Sequence, residues 1–145
     1  MLATLHAVSY LPPGHGQSVF DLAVLPHDER RALPPTIELV HGDIVQIDLA
    51  QTVQLEGGGG LKLSDGRVVE IIAGEELLYE VRGRDPIHLM QLAWHLGQRQ
   101  AKVQIEREWE GIGLRLLVLR DPQLRDLLIG LGATVSEISE PFHPQ

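Results

Sequence analysis

Seven histidines, at positions 6, 15, 27, 41, 88, 95 and 143, are the side chains of this sequence best suited to chemistry. Imidazole is the commonest metal-ligating side chain at neutral pH. The chain has no cysteine, so thiolate metal sites, disulfides and thiol catalysis are excluded together. It carries no Walker loop, no GxSxG elbow and no HExxH zinc motif. Gly57 to Gly60 lack the Lys and Ser or Thr of a phosphate loop and read as a flexible turn. Asp28, Glu29, Glu75 and Glu76 read as solvated charge rather than as an acid/base pair, since none sits in apolar surroundings.

Metal binding through histidine is then the chemistry to weigh. His88 and His95 are seven residues apart and share a helix face, but about 10 Å separates them along the axis at 1.5 Å per residue. One ion cannot take both, so a single chain offers isolated imidazoles. A two-fold dimer doubles every residue near its axis and could unite two copies of one histidine. For each histidine taken alone, a surface or helix-packing role is the competing reading.

The elements that must position these residues differ between the two halves. "TIELVHGDIVQIDL" carries two strand-like runs around the turn signal His41-Gly42-Asp43. Further on, Asp65-Gly66 breaks the chain before a buried strand of Val68, Val69, Ile71 and Ile72. Before residue 75 only "HDERRA" suggests a helical turn, so residues 1–74 read as a small all-β domain of short strands. From residue 75 the pattern changes. Leu77 to Val81 reads as a strand, and "RDPIHLMQLAWHLG" opens a helix with Asp85 as N-cap and Pro86 at its first position. Leu89, Met90, Ala93 and Leu96 form its apolar stripe, with Gly97 as its C-terminal glycine. "AKVQIERE" and "LRLLVLR" read as strands. "RDPQLRDLLIGLG" repeats the helix device with Asp121, Pro122 and a leucine stripe at 124, 127, 128 and 131, and "ATVSEIS" is the last strand. The order β-α-β-β-α-β with a repeated "RDP" opening predicts an α+β fold, in which residues 75–145 form a ferredoxin-like domain with both helices on one sheet face.

Composition bounds the rest. The 145 residues are 43% hydrophobic and only 4% aromatic, so the core is mostly aliphatic. A net charge of −8 opposes non-specific nucleic-acid binding. No apolar run approaches the roughly 20 residues of a membrane span, and the first residues lack the basic and apolar regions of a signal peptide. The expectation is a soluble, cytoplasmic protein that binds neither nucleic acid nor membrane.

The stretch "LAWHLGQRQAKVQIE" resembles the signature of the UreE family of urease accessory proteins, whose familiar form is an aromatic residue, "HLGNRH" and a short Gln-Ile strand. "HDERRA" resembles the family's basic "DERR" turn, and "LSDGRVVEIIAGEELLYEV" resembles the crossing between its two domains. "LLIGLGATVSEISEPFHP" resembles its final helix, last strand and "PFxP" ending. The resemblance implies a nickel metallochaperone and not an enzyme, with no organic cofactor. It implies an N-terminal domain of partner- or peptide-binding type at 1–74. It also implies a metal-binding dimerisation domain, placed at 75–145; a histidine-rich tail is common in the family after "PFxP", where this sequence has a short C-terminal tail. Homodimers that work with a urease maturation GTPase and the urease apoprotein are implied as well.

The family's nickel histidine closes "HLGNRH", and that position is Gln100 here; Gln98 stands for the asparagine, while His95 and Arg99 are kept. Many members open the second helix with Asp-His, where this chain has Pro122. A glutamine offers only a neutral amide oxygen, whereas Ni(II) prefers imidazole nitrogen. The remaining candidate ligands are His95 and His143. The competing readings are a helix-end histidine favoured by the macrodipole for His95 and an ordinary tail residue for His143. Gln98, Arg99 and Gln100 are candidate interface residues. The alternative function is a metal-independent scaffold of the urease maturation complex.

Overall fold

The computed structural model describes residues 4–107 and 113–145, which are mixed α and β and divide into two compact units, Met1–Gly74 and Glu75–Gln145. Unit 1 holds β1 (Thr4–Leu11), β2 (Asp21–Leu25), α1 (His27–Arg31), β3 (Thr36–Glu38), β4 (Ile44–Ile47), β5 (Gly60–Leu63) and β6 (Val68–Ala73). They form one sheet in the order β2-β6-β5-β1-β4-β3. The β3–β4 and β5–β6 neighbours are antiparallel, turning at Gly42 and Gly66, both with positive φ. The β1–β4 and β2–β6 pairs are parallel. Inward residues Ala7, Ala23, Val45, Leu61, Val69 and Ile71 are each 0% exposed and form the core. The glycine run is more than a flexible turn: Gly60 begins β5, and a Cβ there would meet Val68, His15 and the Val69 carbonyl. α1 is a single helical turn whose Arg30 is buried and donates to the Leu25 carbonyl.

Unit 2 holds β7 (Glu75–Arg82), α2 (Pro86–Gln98), β8 (Val103–Glu106), β9 (Arg115–Leu119), α3 (Pro122–Gly130) and β10 (Thr134–Pro141). The sheet order is β10-β7-β9-β8, antiparallel throughout. Alternation assigns its faces. Tyr79 and Val81 of β7 and Leu116 and Val118 of β9 pack with Leu89, Leu92 and Leu96 of α2 and Leu124 and Leu128 of α3. Leu78 and Leu117 point to the opposite face, where Phe142 covers them. That is why Leu116, Leu117 and Val118 are all buried in succession. Burying Phe142 completely contributes roughly 1.5–3 kcal/mol. Glu108, the last residue of the strand expected over "AKVQIERE", lies outside the described residues, and β8 itself runs Val103–Glu106. Among the described residues no helix is long and apolar enough to cross a membrane.

Candidate functional site

Both helices of unit 2 start the same way. Asp85 accepts a hydrogen bond from the His88 N–H at 2.7 Å, and Asp121 accepts one from the Gln123 N–H at 2.9 Å, each followed by proline. These caps satisfy N–H groups that a helix start leaves orphaned.

The helices also end the same way, and here the structure corrects the expectation for Gly97. α2 runs past Gly97 to Gln98, with Arg99 as C-cap. Gln100 takes the left-handed position at φ 55°, the one described non-glycine residue with positive φ. Its N–H donates to the Gly97 carbonyl at 3.0 Å, and the Ala101 N–H donates to the Leu96 carbonyl at 3.1 Å. This is the Schellman pattern. In α3 the same bonds run from Gly132 to Ile129 and from Ala133 to Leu128, both at 3.0 Å, with Gly132 at φ 88°. The glycine that belongs in this position is present in α3 and replaced by glutamine in α2.

A side chain in the left-handed region costs about 1 kcal/mol. Gln100→Gly is therefore expected to stabilise unit 2 by about 0.5–1 kcal/mol, net of the freedom glycine adds to the unfolded chain. A thermal melt checks this: the midpoint rises by a few degrees with glycine and does not rise with Gln100→Ala. Equal effects from both substitutions would remove the backbone explanation.

The outer face of α2 is the second feature of the site. Ile87, Met90 and Trp94 are 60%, 61% and 61% exposed. With Gln91 and His95 they line an open depression. Met90 is thus not a core residue as expected; Leu92 takes that place, at 1% exposure. The 87, 90, 94 spacing was a legible second apolar stripe. His95 is half-buried in the last turn, its ring set edge-on to Trp94 with centroids 5.1 Å apart. Arg99 donates back to the His95 carbonyl at 3.3 Å. Gln98, Arg99 and Gln100 are all exposed.

His88, which shares the helix with His95, is committed elsewhere. It is buried, its Nδ1 accepts from the Arg84 N–H at 2.9 Å, and its Nε2 lies 2.8 Å from the Leu131 carbonyl. With Nδ1 accepting, the ring proton is on Nε2, which donates to the C-cap carbonyl of α3. His88 therefore ties the start of α2 to the end of α3.

His143 follows Phe142 on the sheet face away from the helices, exposed, with its N–H donating to Gln104 Oε1 at 2.8 Å. His95 and His143 lie on opposite sides of the sheet and are not brought together within one chain. Among the described residues no three His, Asp or Glu side chains converge to hold a metal ion. In unit 1, His6 meets Asp48 at 2.6 Å and His41 meets Asp21 at 2.8 Å. Burial pushes the Asp21 carboxyl up, but bonds from the Leu22 N–H and from His41 hold it below the usual range.

An ion network on the open face of the unit 2 sheet was not anticipated. Arg115 of β9 donates to Glu80 of β7 at 2.8 Å, Glu106 of β8 at 2.6 Å and Glu140 of β10 at 2.8 Å, bridging all four strands. Burial raises the Glu80 carboxyl, but hydrogen bonds from Arg82 and Arg115 more than reverse this and hold it below its ordinary value. The Arg115 guanidinium is raised, by the bond to Glu140 first.

Comparison with known proteins addresses the chain as a whole. Residues 76–145 match the family described as UreE urease accessory protein, C-terminal domain. The chain is 44% identical to the urease accessory protein UreE of Rhizobium rhizogenes, over 94% of this chain and 78% of the relative. It is 46% identical to that of Mesorhizobium japonicum, over 95% and 68%. It is 43% identical to that of Rhizobium meliloti, over 92% and 84%.

Proposed function

The chain belongs to the UreE family of urease accessory proteins, so it is an accessory protein and not an enzyme, and from that footing we propose that it carries nickel for assembly of the urease metal centre through an altered site. The observation that supports this reading most is the end of α2. There the "HLGQRQ" turn presents His95, Gln98, Arg99 and Gln100 at the surface beside an uncovered apolar stripe. Unit 2, whose strand order supports a ferredoxin-like reading, is the metal-binding and dimerisation domain. A two-fold contact through the stripe sets two copies of the α2 end near one axis. Unit 1 is the partner- or peptide-binding domain that engages the maturation GTPase and the urease apoprotein, and the work is done in the cytoplasm. Nickel is cargo. His95 and His143 are its ligands, with no organic cofactor.

Calorimetric nickel titration of the purified protein tests this, with His95→Ala and His143→Ala beside the wild type. Each substitution is expected to weaken binding, and the Trp94 ring against His95 supplies a fluorescence report of the same event. No binding tighter than roughly millimolar, about −4 kcal/mol, sinks the metallochaperone reading. The absence of an imidazole at Gln100 favours the second reading, a scaffold that docks without metal. Retention of the GTPase on the immobilised protein, equal with and without nickel, selects it.

A further inference from the structure

At the outer edge of β8 a side chain stands in for a strand. The Val103 carbonyl accepts from the Gln145 N–H at 2.8 Å, and the Ile105 N–H donates to Gln145 Oε1 at 2.6 Å. Val103 and Ile105 therefore turn their backbone groups away from β9. The two bonds have the pattern of one step of a parallel ladder, with Oε1 in place of the Gln145 carbonyl. The step does not extend: Pro144 has no N–H, and the His143 N–H is held by Gln104 Oε1 at 2.8 Å. The tail is also fixed upstream. Pro141 is still paired opposite Glu75 of β7, and Phe142 is 0% exposed against Leu78, Leu117 and Ile138.

What the tail covers is self-complementary. A two-fold axis through Gln104 sets two β8 strands antiparallel, with Val103 opposite Ile105 of the second copy and Lys102 opposite its Glu106. The Val103–Ile105 pairs are then of the kind that exchanges both backbone hydrogen bonds. Their side chains lie on the helix-side face, beside Leu116 and Val118 of β9. Ile105 is 53% exposed there and gains cover from the contact. Continuing the alternation puts Lys102 and Glu106 on the open face, where the opposite charges favour this register over a shifted one.

We propose that the β8 edge is a contact surface for a second copy of this chain, and that residues 142–145 close it. A bare edge strand is a template for pairing with another chain, and the tail removes that template by taking two of its hydrogen bonds. Self-association of unit 2 is thereby steered away from β8. The proposal uses no metal ligand and stands apart from the nickel reading.

The test joins mass by light scattering to amide hydrogen exchange on the full chain, for the wild type and Gln145→Pro. Gln145→Pro removes both edge bonds at an exposed position and leaves the Phe142 cluster intact. In dilute solution the Ile105 amide is expected to exchange about two- to tenfold faster in the variant, as for one lost hydrogen bond. Between roughly micromolar and millimolar concentration its mass is expected to climb to about twice the wild-type value or more, with Ile105 protected again. Two further changes, each made in the Gln145→Pro background, are expected to return the mass to the wild-type value. Ile105→Lys puts a charge on the edge, and Lys102→Glu sets like charges opposite each other; both positions are exposed. Unchanged exchange at Ile105 in Gln145→Pro overturns the tail as the cover of this edge. A mass equal to that of the wild type at every concentration overturns the contact surface. A raised mass that neither Ile105→Lys nor Lys102→Glu lowers puts the association elsewhere and overturns it as well.

Discussion

Replacing Arg115 with methionine is expected to destabilise unit 2 by about 2–3 kcal/mol at neutral pH, and by much less near pH 4. Removing one partner of a buried ion pair costs about 3–5 kcal/mol, because the other charge is left uncompensated. Arg115 is 11% exposed, but Glu106 and Glu140 are 31% and 39% exposed, so solvent screening lowers the figure. The pH dependence separates charge from packing. The folded-state carboxyl of Glu80 is held below its ordinary value. Its contribution is therefore present above the unfolded value of about 4.3 and is lost as the pH falls through the folded value. In the variant Glu80 keeps only Arg82, Glu106 and Glu140 lose the Arg115 guanidinium, and protonation relieves the charge left behind. The wild type thus loses stability on acidification over a range in which the variant loses less. Both tryptophans, Trp94 and Trp109, belong to residues 75–145, so fluorescence-detected urea unfolding follows this unit alone. A gap between the two proteins that is equal at pH 7 and pH 4 would assign the loss to the packing of the arginine stem instead.

Gln100→His is expected to raise nickel affinity on the order of a hundredfold or more, since it exchanges a neutral amide oxygen for an imidazole, which the proposed dimer doubles at its axis. The backbone permits the change. Gln100 already occupies the left-handed region, where histidine is among the better-tolerated side chains, so stability should barely move. Gln100→Gly supplies the opposite control, with stability gained and affinity not. Nickel titration and a thermal melt on the three proteins read both quantities. A histidine variant that folds normally and binds nickel no better would show that the α2 end does not converge on a metal, and the scaffold reading would take its place.

The elements of unit 2 were legible because local signals agreed with tertiary need. Asp85-Pro86 and Asp121-Pro122 cap and open their helices where the sequence indicates. The α2 terminus differs from the expected one because a glycine is a strong local signal for a helix end, while α2 continues past Gly97 to Gln98. Gly97 lies three residues early, in open space, and the motif's last residue makes the turn in its place. Met90 departs from the expected core because α2 carries two apolar stripes, one buried and one exposed. The parallel β1–β4 and β2–β6 pairs had no sequence mark, since parallel partners share no turn. Arg115, Glu80, Glu106 and Glu140 sit on four separate strands and meet only through register, which spacing along the chain does not reveal. The tail was partly visible as the "PFHP" ending, but its path to β8 depends on the bonds of Gln145 to Val103 and Ile105 and of His143 to Gln104, which no pattern predicts.

The pairing of β7 with β10 bears on how this unit comes off the ribosome. These are its first and last strands, yet they share its longest ladder, from Glu75 opposite Pro141 to Arg82 opposite Thr134. At about 5–20 residues per second, roughly 3–12 s separate the synthesis of β7 from that of its partner. Through that interval one edge of β7 stands bare, open to strand addition by a neighbouring nascent chain. Closure of unit 2 therefore waits for β10, whereas the strands of unit 1 have all been synthesised by then.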